Sequence, residues 1–222
     1  MNIIPFSRTD IYEFFCEPDL IDEVNNELAN TKIEWEGIRD KDTNLLSIGY
    51  LNINNAIPYY HYKLFDWFQE CLNTVSNLHY NDIKLSIVDS WLTKTEFGKR
   101  AEYHHHISSV VSGLLYLDTF KNSGTLFTYK DPWQEHLSNL IMLEPKTIKI
   151  LPEKGKLILW RSDIGHAVQP HSDIKSIRHS LAFNTFFDKH ITNRNTGQLS
   201  LTVDSVKDKY EAYMNKKNNE TM

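Results

Sequence analysis

The stretch Tyr103-His104-His105-His106-Ile107-Ser108-Ser109-Val110-Val111-Ser112-Gly113-Leu114-Leu115-Tyr116-Leu117 decides how the rest of the chain is understood. Three consecutive histidines run straight into an apolar, β-prone segment. In an extended chain, side chains alternate between faces, so His104 and His106 share one face and His105 takes the other. Two imidazoles at i and i+2 on one face can converge on one metal ion. Further along, Gly165-His166-Ala167-Val168 offers a third imidazole in a second β-like segment.

Period-two alternation surrounds this stretch. Ile83 to Leu92 alternates as a strand does. Val110–Leu117 and Thr125–Tyr129 flank the turn signal Lys121-Asn122-Ser123-Gly124, so 110–129 is expected to form a hairpin. Thr147–Leu151 and Lys156–Trp160 flank Pro152-Glu153-Lys154-Gly155, a second turn, with Pro early and Gly last. His166–Val168 and Ile177–Phe187 complete about eight short strands. Such a series suggests a sandwich or barrel of jelly-roll type. The first 80 residues differ. Asp10 to Asn30 carries apolar residues at helical spacing, interrupted at Pro18. Residues 31–56 are expected to be irregular, and a second helix is expected over about Pro58 to Val75. A short helix near Ser205–Met214 is expected in the polar tail. The fold class is therefore α+β, mainly β: a jelly-roll core braced by N-terminal helices. The expected organisation is a single domain over 1–222. It has a helical lead-in over 1–80, a core over 83–187 and a polar tail over 188–222.

Composition sets limits. The 222 residues are 41% hydrophobic and 24% charged, as in an ordinary globular protein. A net charge of −5 gives no electrostatic case for nucleic-acid binding. No apolar run approaches the ~20 residues of a membrane span, and the N-terminus shows no signal-peptide pattern. Cys16 and Cys71 are expected to be two free, buried thiols, which suits a cytoplasmic location.

The strand faces narrow the chemistry. Over 177–187, Arg178, Ser180, Ala182 and Asn184 share a small, polar face, and the opposite face is mostly apolar. Such a polar face suits either solvent or a barrel mouth that binds a polar ligand. Imidazole ligands suit iron, zinc, copper or nickel. An arginine beyond the last histidine can fork onto a carboxylate. His61, His79, His136 and His190 carry no such pattern, His171 is expected at the surface, and Trp91 and Trp160 are expected in the core.

Several features occur in a fixed order. They are Trp91, His104-x-His106, Ser112-Gly113-Leu114-Leu115-Tyr116-Leu117, Ser123-Gly124-x-Leu126-Phe127, Asp131-Pro132, Gly155-Lys156-Leu157-Ile158-Leu159-Trp160, His166-x-Val168-x-Pro170 and Arg178-x-Ser180-Leu181-Ala182-Phe183-Asn184. Together, over about residues 83–187, this resembles the 2-oxoglutarate/iron(II)-dependent oxygenases of bacterial and phage type, whose core is a double-stranded β-helix. The resemblance implies an Fe(II)- and 2-oxoglutarate-dependent dioxygenase, with hydroxylation as the default outcome. It implies His104, His106 and His166 as metal ligands. It matches Arg178, Ser180 and Tyr116 to residues that bind the far carboxylate of 2-oxoglutarate, with Asn184 a candidate for the same cavity. Dioxygen and a prime substrate, which the sequence does not identify, are the other partners, and self-association is left open.

One departure matters. Most of that superfamily carries His-x-Asp or His-x-Glu, where this chain has His106. The third ligand therefore stands between His106 and a carboxylate such as Glu102, Asp118, Asp131 or Asp163. Two rival readings remain: a three-histidine cupin-type dioxygenase that uses no 2-oxoglutarate, and a non-catalytic metal-binding jelly-roll module.

Overall fold

The computed structural model describes residues 1–6, 9–33, 35–37, 45–47, 62–79, 84–107, 109–129, 146–187, 191–192 and 200–201. In chain order, the strands before the core are β1 (Asn2–Phe6), β2 (Thr9–Phe15), β3 (Trp35–Gly37) and β4 (Leu45–Ser47). Helix α1 (Pro18–Asn30) follows β2, and α2 (Tyr62–His79) follows β4. The core strands are β5 (Leu85–Thr95), β6 (Ala101–His104), β7 (Val111–Tyr116), β8 (Thr125–Tyr129), β9 (Lys146–Ile150), β10 (Lys156–Arg161), β11 (Gly165–Val168) and β12 (Arg178–Phe187). Eight strands form one sheet in the order β1-β2-β10-β7-β12-β5-β4-β3, and four form a second in the order β6-β11-β8-β9. The pairing within both sheets is antiparallel throughout. The chain is thus mainly β with a jelly-roll core, as its alternation suggests.

Side-chain parity divides the large sheet into two faces. Leu115 of β7, Leu157 and Leu159 of β10, and Leu181 and Phe183 of β12 pack with Ile21 and Val24 of α1 and with Leu64, Phe68 and Leu72 of α2. The alternate residues Leu114, Tyr116, Ile158, Trp160 and Ala182 meet Phe127 and Ile150 from the small sheet. The helices therefore cover the outer face, and the inner face looks toward the second sheet. Each fully buried large apolar side chain contributes about 1.5–3 kcal/mol, so this two-sided burial holds the large sheet in place.

Gly113 lies opposite Phe183 in register, and a Cβ there would lie 2.2 Å from the Phe183 ring. That ring is fully buried and packs 4.8 Å from Phe68, centroid to centroid. It has nowhere to move, so Gly113→Ala is expected to destabilise the protein by about 1–3 kcal/mol through overpacking. Urea denaturation checks this; an unchanged midpoint would show that the Phe183 pocket can yield.

Several expectations need correction. Residues 9–15 form a strand. Its Tyr12 and Phe14 pair with Leu159 and Leu157 of β10, so a sheet edge overrides the helical spacing. Pro18 stands in the first turn of α1, where its missing N–H costs nothing and where it holds the preceding residue extended. Within 31–56 the structure places β3 and β4 on the far edge of the large sheet. The lead-in over 1–80 is therefore helices plus four strands, two at each end of the large sheet. The predicted hairpin does not form, and the second turn does not return the chain to its own sheet: β7 and β10 lie in the large sheet, β8 and β9 in the small one. The chain crosses between sheets at both turns, and the turns brace each other through Phe120 N–H to the Pro152 carbonyl and Gly155 N–H to the Tyr116 carbonyl. Gly155 takes φ +83°, which only glycine adopts readily. The second predicted helix begins at Tyr62, within its expected range, and the predicted tail helix lies outside the described residues. Cys16 and Cys71 are free and buried, and burial pushes their thiols up to about 11 and about 12. No described helix is long and apolar enough to cross a membrane.

Candidate metal centre

The histidine run stands where the chain changes sheets. β6 ends at His104 and β7 begins at Val111. Between them, His106 N–H donates to the Ser162 carbonyl and Val110 N–H to the Thr185 carbonyl, which ties the crossing to neighbouring elements. His104 and His106 therefore do not share one strand, contrary to the simple alternation. They still face the same way. His166 on β11 pairs directly with His104 in register. The three ring centroids are 4.2 Å (His104–His166), 5.0 Å (His106–His166) and 5.2 Å (His104–His106) apart. One ligand nitrogen from each ring lies within 4.8 Å of the others, and no other such group of three or more His, Cys, Asp or Glu occurs among the described residues.

The protonation chemistry suits a metal. The Nδ1 of His104 is bonded to the Glu102 carbonyl at 2.7 Å, and that of His166 to the Ile164 carbonyl at 3.3 Å. A carbonyl only accepts, so both Nδ1 atoms carry the proton and Nε2 is the nitrogen each ring can offer a metal. His106 Nδ1 meets Asn184 Oδ1 at 2.5 Å and Ser112 Oγ at 2.8 Å. Burial, with His104 and His106 nearby, holds His166 well below the usual imidazole range. Burial also takes His106 down to about 4, against the pull of its Asn184 hydrogen bond. Neutral imidazoles are what a divalent transition metal requires, so the donor set fits one.

The carboxylate rivals are engaged elsewhere. Glu102 Oε1 accepts from Arg100 Nε at 2.7 Å, Asp163 pairs with Arg161, and Asp118 accepts from the His179 backbone N–H at 2.8 Å. Asp131 lies outside the described residues, as do Pro132, His61, His136 and His190.

A pocket of about 390 Å³ opens beside the three histidines, between the two sheets. Arg178, Ser180, Ala182 and Asn184 all line it, which resolves the polar face of β12 in favour of a cavity. Arg178 is only 2% exposed. Its Nη1 donates to Ser123 Oγ at 2.9 Å and to the Ser123 carbonyl at 3.2 Å, and its Nη2 to Thr95 Oγ1 at 3.3 Å. Its Nε has no partner, and no carboxylate forms an ion pair with it among the described residues. Burial lowers its pKa, but a guanidinium stays charged. A buried charge without a close ion-pair partner is costly, and this one faces a cavity. Ser180 lies in register with Tyr116 and bonds Thr93 Oγ1 through its hydroxyl. The Tyr116 hydroxyl donates to Thr125 Oγ1 at 2.7 Å, and burial pushes its pKa up to about 12. Asn184 stands at the His106 end of the pocket and spends its side-chain oxygen on that ring. Trp160 is both core and pocket wall, 4.9 Å from His166. His171 is 2% exposed, so it is not a surface residue; it packs on Phe120.

Ser123 and Thr95, which hold Arg178, escaped the sequence reading as site residues. Ser123 stood in plain view beside Gly124. Thr95 becomes visible only through its register with Arg178.

Residues 89–184 match the family described as "Putative 2OG-Fe(II) oxygenase". This segment is similar to the 2-oxoglutarate/iron(II) oxygenases. The matched segment encloses the three histidines, Tyr116, Arg178 and Ser180, and ends at Asn184. No curated protein matches the sequence. Solved structures share the oxygenase fold at low identity. A 2OG-Fe(II) oxygenase family oxidoreductase from Burkholderia pseudomallei is 9% identical, with TM-score 0.59 over 79% of this chain and 84% of that one. HygX from Streptomyces hygroscopicus, solved with nickel and 2-oxoglutarate bound, is 10% identical, with TM-score 0.57 over 91% and 96%. A prolyl-4-hydroxylase from Pseudomonas putida is 14% identical, with TM-score 0.53 over 81% and 93%.

Proposed function

We propose that this protein is an Fe(II)- and 2-oxoglutarate-dependent dioxygenase that hydroxylates a C–H bond of a prime substrate. The observation that carries the reading is Arg178: a buried guanidinium with no ion-pair partner among the described residues, in the same pocket as three converging imidazoles. His104, His106 and His166 would hold iron(II). Arg178 would take the far carboxylate of 2-oxoglutarate, with the Ser180 and Tyr116 hydroxyls beside it. Ser123 and Thr95 keep the guanidinium pointed, so its orientation is set before the ligand arrives. Leu114, Val168, Ala182 and Trp91 give the pocket apolar walls that exclude water. When bound, iron(II) supplies the redox chemistry by which dioxygen, 2-oxoglutarate and substrate become succinate, carbon dioxide and hydroxylated product.

The three-histidine donor set also favours a second reading, a cupin-type dioxygenase without 2-oxoglutarate. Arg178 and Ser180 argue against it, since together they match the element that takes the far carboxylate of 2-oxoglutarate. Anaerobic titration separates the two. Iron(II) with 2-oxoglutarate is expected to give a charge-transfer absorbance that iron(II) alone does not, followed by succinate formation on admitting oxygen. Iron binding with neither absorbance nor succinate would reject the proposed reading in favour of the second.

A further inference from the structure

The pocket wall behind His106 contains a chain of groups that the reading above does not use. Asp89 on β5 lies in register with Asn184 on β12, and the pairing slips immediately afterwards, with Thr185 opposite Ile87. Such a bulge bends the strand locally and re-aims side chains. Here Asp89 Oδ1 accepts from the Asn184 backbone N–H at 3.2 Å, and Asp89 Oδ2 accepts from Asn184 Nδ2 at 3.4 Å. Asn184 Oδ1 then faces His106 Nδ1 at 2.5 Å, and Ser112 Oγ donates to the same oxygen at 2.9 Å.

The order of donors and acceptors follows from the carboxylate, with Ser112 Oγ, also 2.8 Å from His106 Nδ1, able to accept from the ring while it donates to Asn184. An ionised carboxylate only accepts, so the end of the Asn184 amide turned toward Asp89 must be its NH₂ group. The other end, Oδ1, also only accepts. His106 must therefore carry its proton on Nδ1, which leaves the lone pair on Nε2, the nitrogen a metal needs. A flipped amide would set Oδ1 against a carboxylate and turn an N–H donor toward His106. The ring would then hold its proton on Nε2 and could not ligate. A carboxylate at position 106 would likewise face Asn184 Oδ1, acceptor against acceptor. The surroundings are thus built for a proton donor at 106.

We infer that Asp89 is a positioning residue: acting through Asn184, it locks His106 in the Nδ1-protonated tautomer and so makes the third metal ligand competent. The inference rests on the metal-centre reading above and deepens it. Outer partners of this kind typically change metal affinity about 10- to 100-fold when removed.

The test has two readouts on the full-length protein. Long-range ¹H–¹⁵N spectra of ¹⁵N-histidine protein, with His106 assigned by its loss in His106→Gln, report the tautomer without metal. Cobalt(II) titration reports affinity. Wild type is expected to show Nδ1–H. Asp89→Asn removes the carboxylate and frees the amide to flip. It is expected to show Nε2–H at His106 and about 10- to 100-fold weaker cobalt binding. Combining Asp89→Asn with Asn184→Asp swaps the pair: the new amide donates to the new carboxylate, which accepts from His106 Nδ1–H. The double variant is expected to regain the tautomer and most of the affinity, which simple loss of packing cannot produce. An Nε2–H tautomer in wild type overturns the inference, even if a variant fails to fold. So does Asp89→Asn with wild-type spectra, or a double variant no better than the single. Failure of wild type to bind cobalt would count against the metal centre itself, while the tautomer spectra would still decide the role of Asp89.

Discussion

Arg178→Met is expected to abolish the stabilisation that 2-oxoglutarate gives the metal-loaded protein, while leaving the ligand-free protein as stable as wild type or more so. The two halves have one cause. In the ligand-free state Arg178 is 2% exposed, lacks a carboxylate partner among the described residues and leaves its Nε unsatisfied. Replacing a buried charge that has no close ion-pair partner with an apolar side chain of similar length relieves a desolvation cost. In the ligand-bound state the same change strands a carboxylate in a dry pocket, a loss of about 2–5 kcal/mol. That weakens 2-oxoglutarate binding by roughly 30-fold to several thousand-fold, at tenfold per 1.4 kcal/mol. Wild type with 2-oxoglutarate at a hundred times its Kd gains about 2.7 kcal/mol. For a chain of this size, that is a rise in Tm of roughly 5–10 °C. Scanning calorimetry with manganese(II), which holds the site without turnover, reads both halves. Arg178→Lys keeps the charge but cannot reproduce the fork between Ser123 and Thr95, so an intermediate rise is expected. A Met variant that responds to 2-oxoglutarate like wild type would remove the main support for the proposed cosubstrate.

How much of this was legible in the sequence depends on whether the signal was local. Parity along Arg178-x-Ser180-x-Ala182-x-Asn184 placed one face together, and all four residues line the pocket. The spacing from His104-x-His106 to His166 named the residues that converge, although the strand breaks between His104 and Val111. The hydrogen bond from His106 N–H to Ser162 does there what an unbroken strand would have done. The turns at 121–124 and 152–155 were visible as turns. Whether a turn returns the chain to its own sheet or carries it to the facing one depends on partners remote in sequence, so the hairpin expected over 110–129 does not form. The same holds for β2. Its apolar spacing suits a helix as well as a strand, and only the exposed edge of β10 decides. Asp89 illustrates the limit most sharply. It is an unremarkable acid in an alternating strand until register sets it against Asn184.

His166→Gln is expected to cost at least 100-fold in metal affinity, more than loss of an outer partner of a metal ligand, which costs about 10- to 100-fold. His166 is 95% out of solvent, and its ring stacks on Phe127 with centroids 5.7 Å apart and meets Trp160 edge-on. A water molecule cannot easily take its place there. An amide fills much of the imidazole volume, so packing survives and the ligand nitrogen does not. The metal-free protein should accordingly melt within a few degrees of wild type, because no metal bond exists in that state to be lost. The metal-induced rise in Tm should disappear. His105→Gln provides the contrast within the same run of sequence: its ring is exposed and outside the converging group, so affinity should stay within about twofold. Manganese(II) binding followed by electron paramagnetic resonance measures both variants. Equal losses at 105 and 166 would mean that the histidine run binds metal as a loose surface tract, and the geometry of the three rings would then have no bearing on function. A loss confined to 166 ties the metal to the point where β11 pairs with the end of β6. That pairing lies in the small sheet beside the pocket, and His106 joins it from the segment that crosses to the large sheet, so the affinity for metal is set by the closure of the jelly roll and not by the count of histidines.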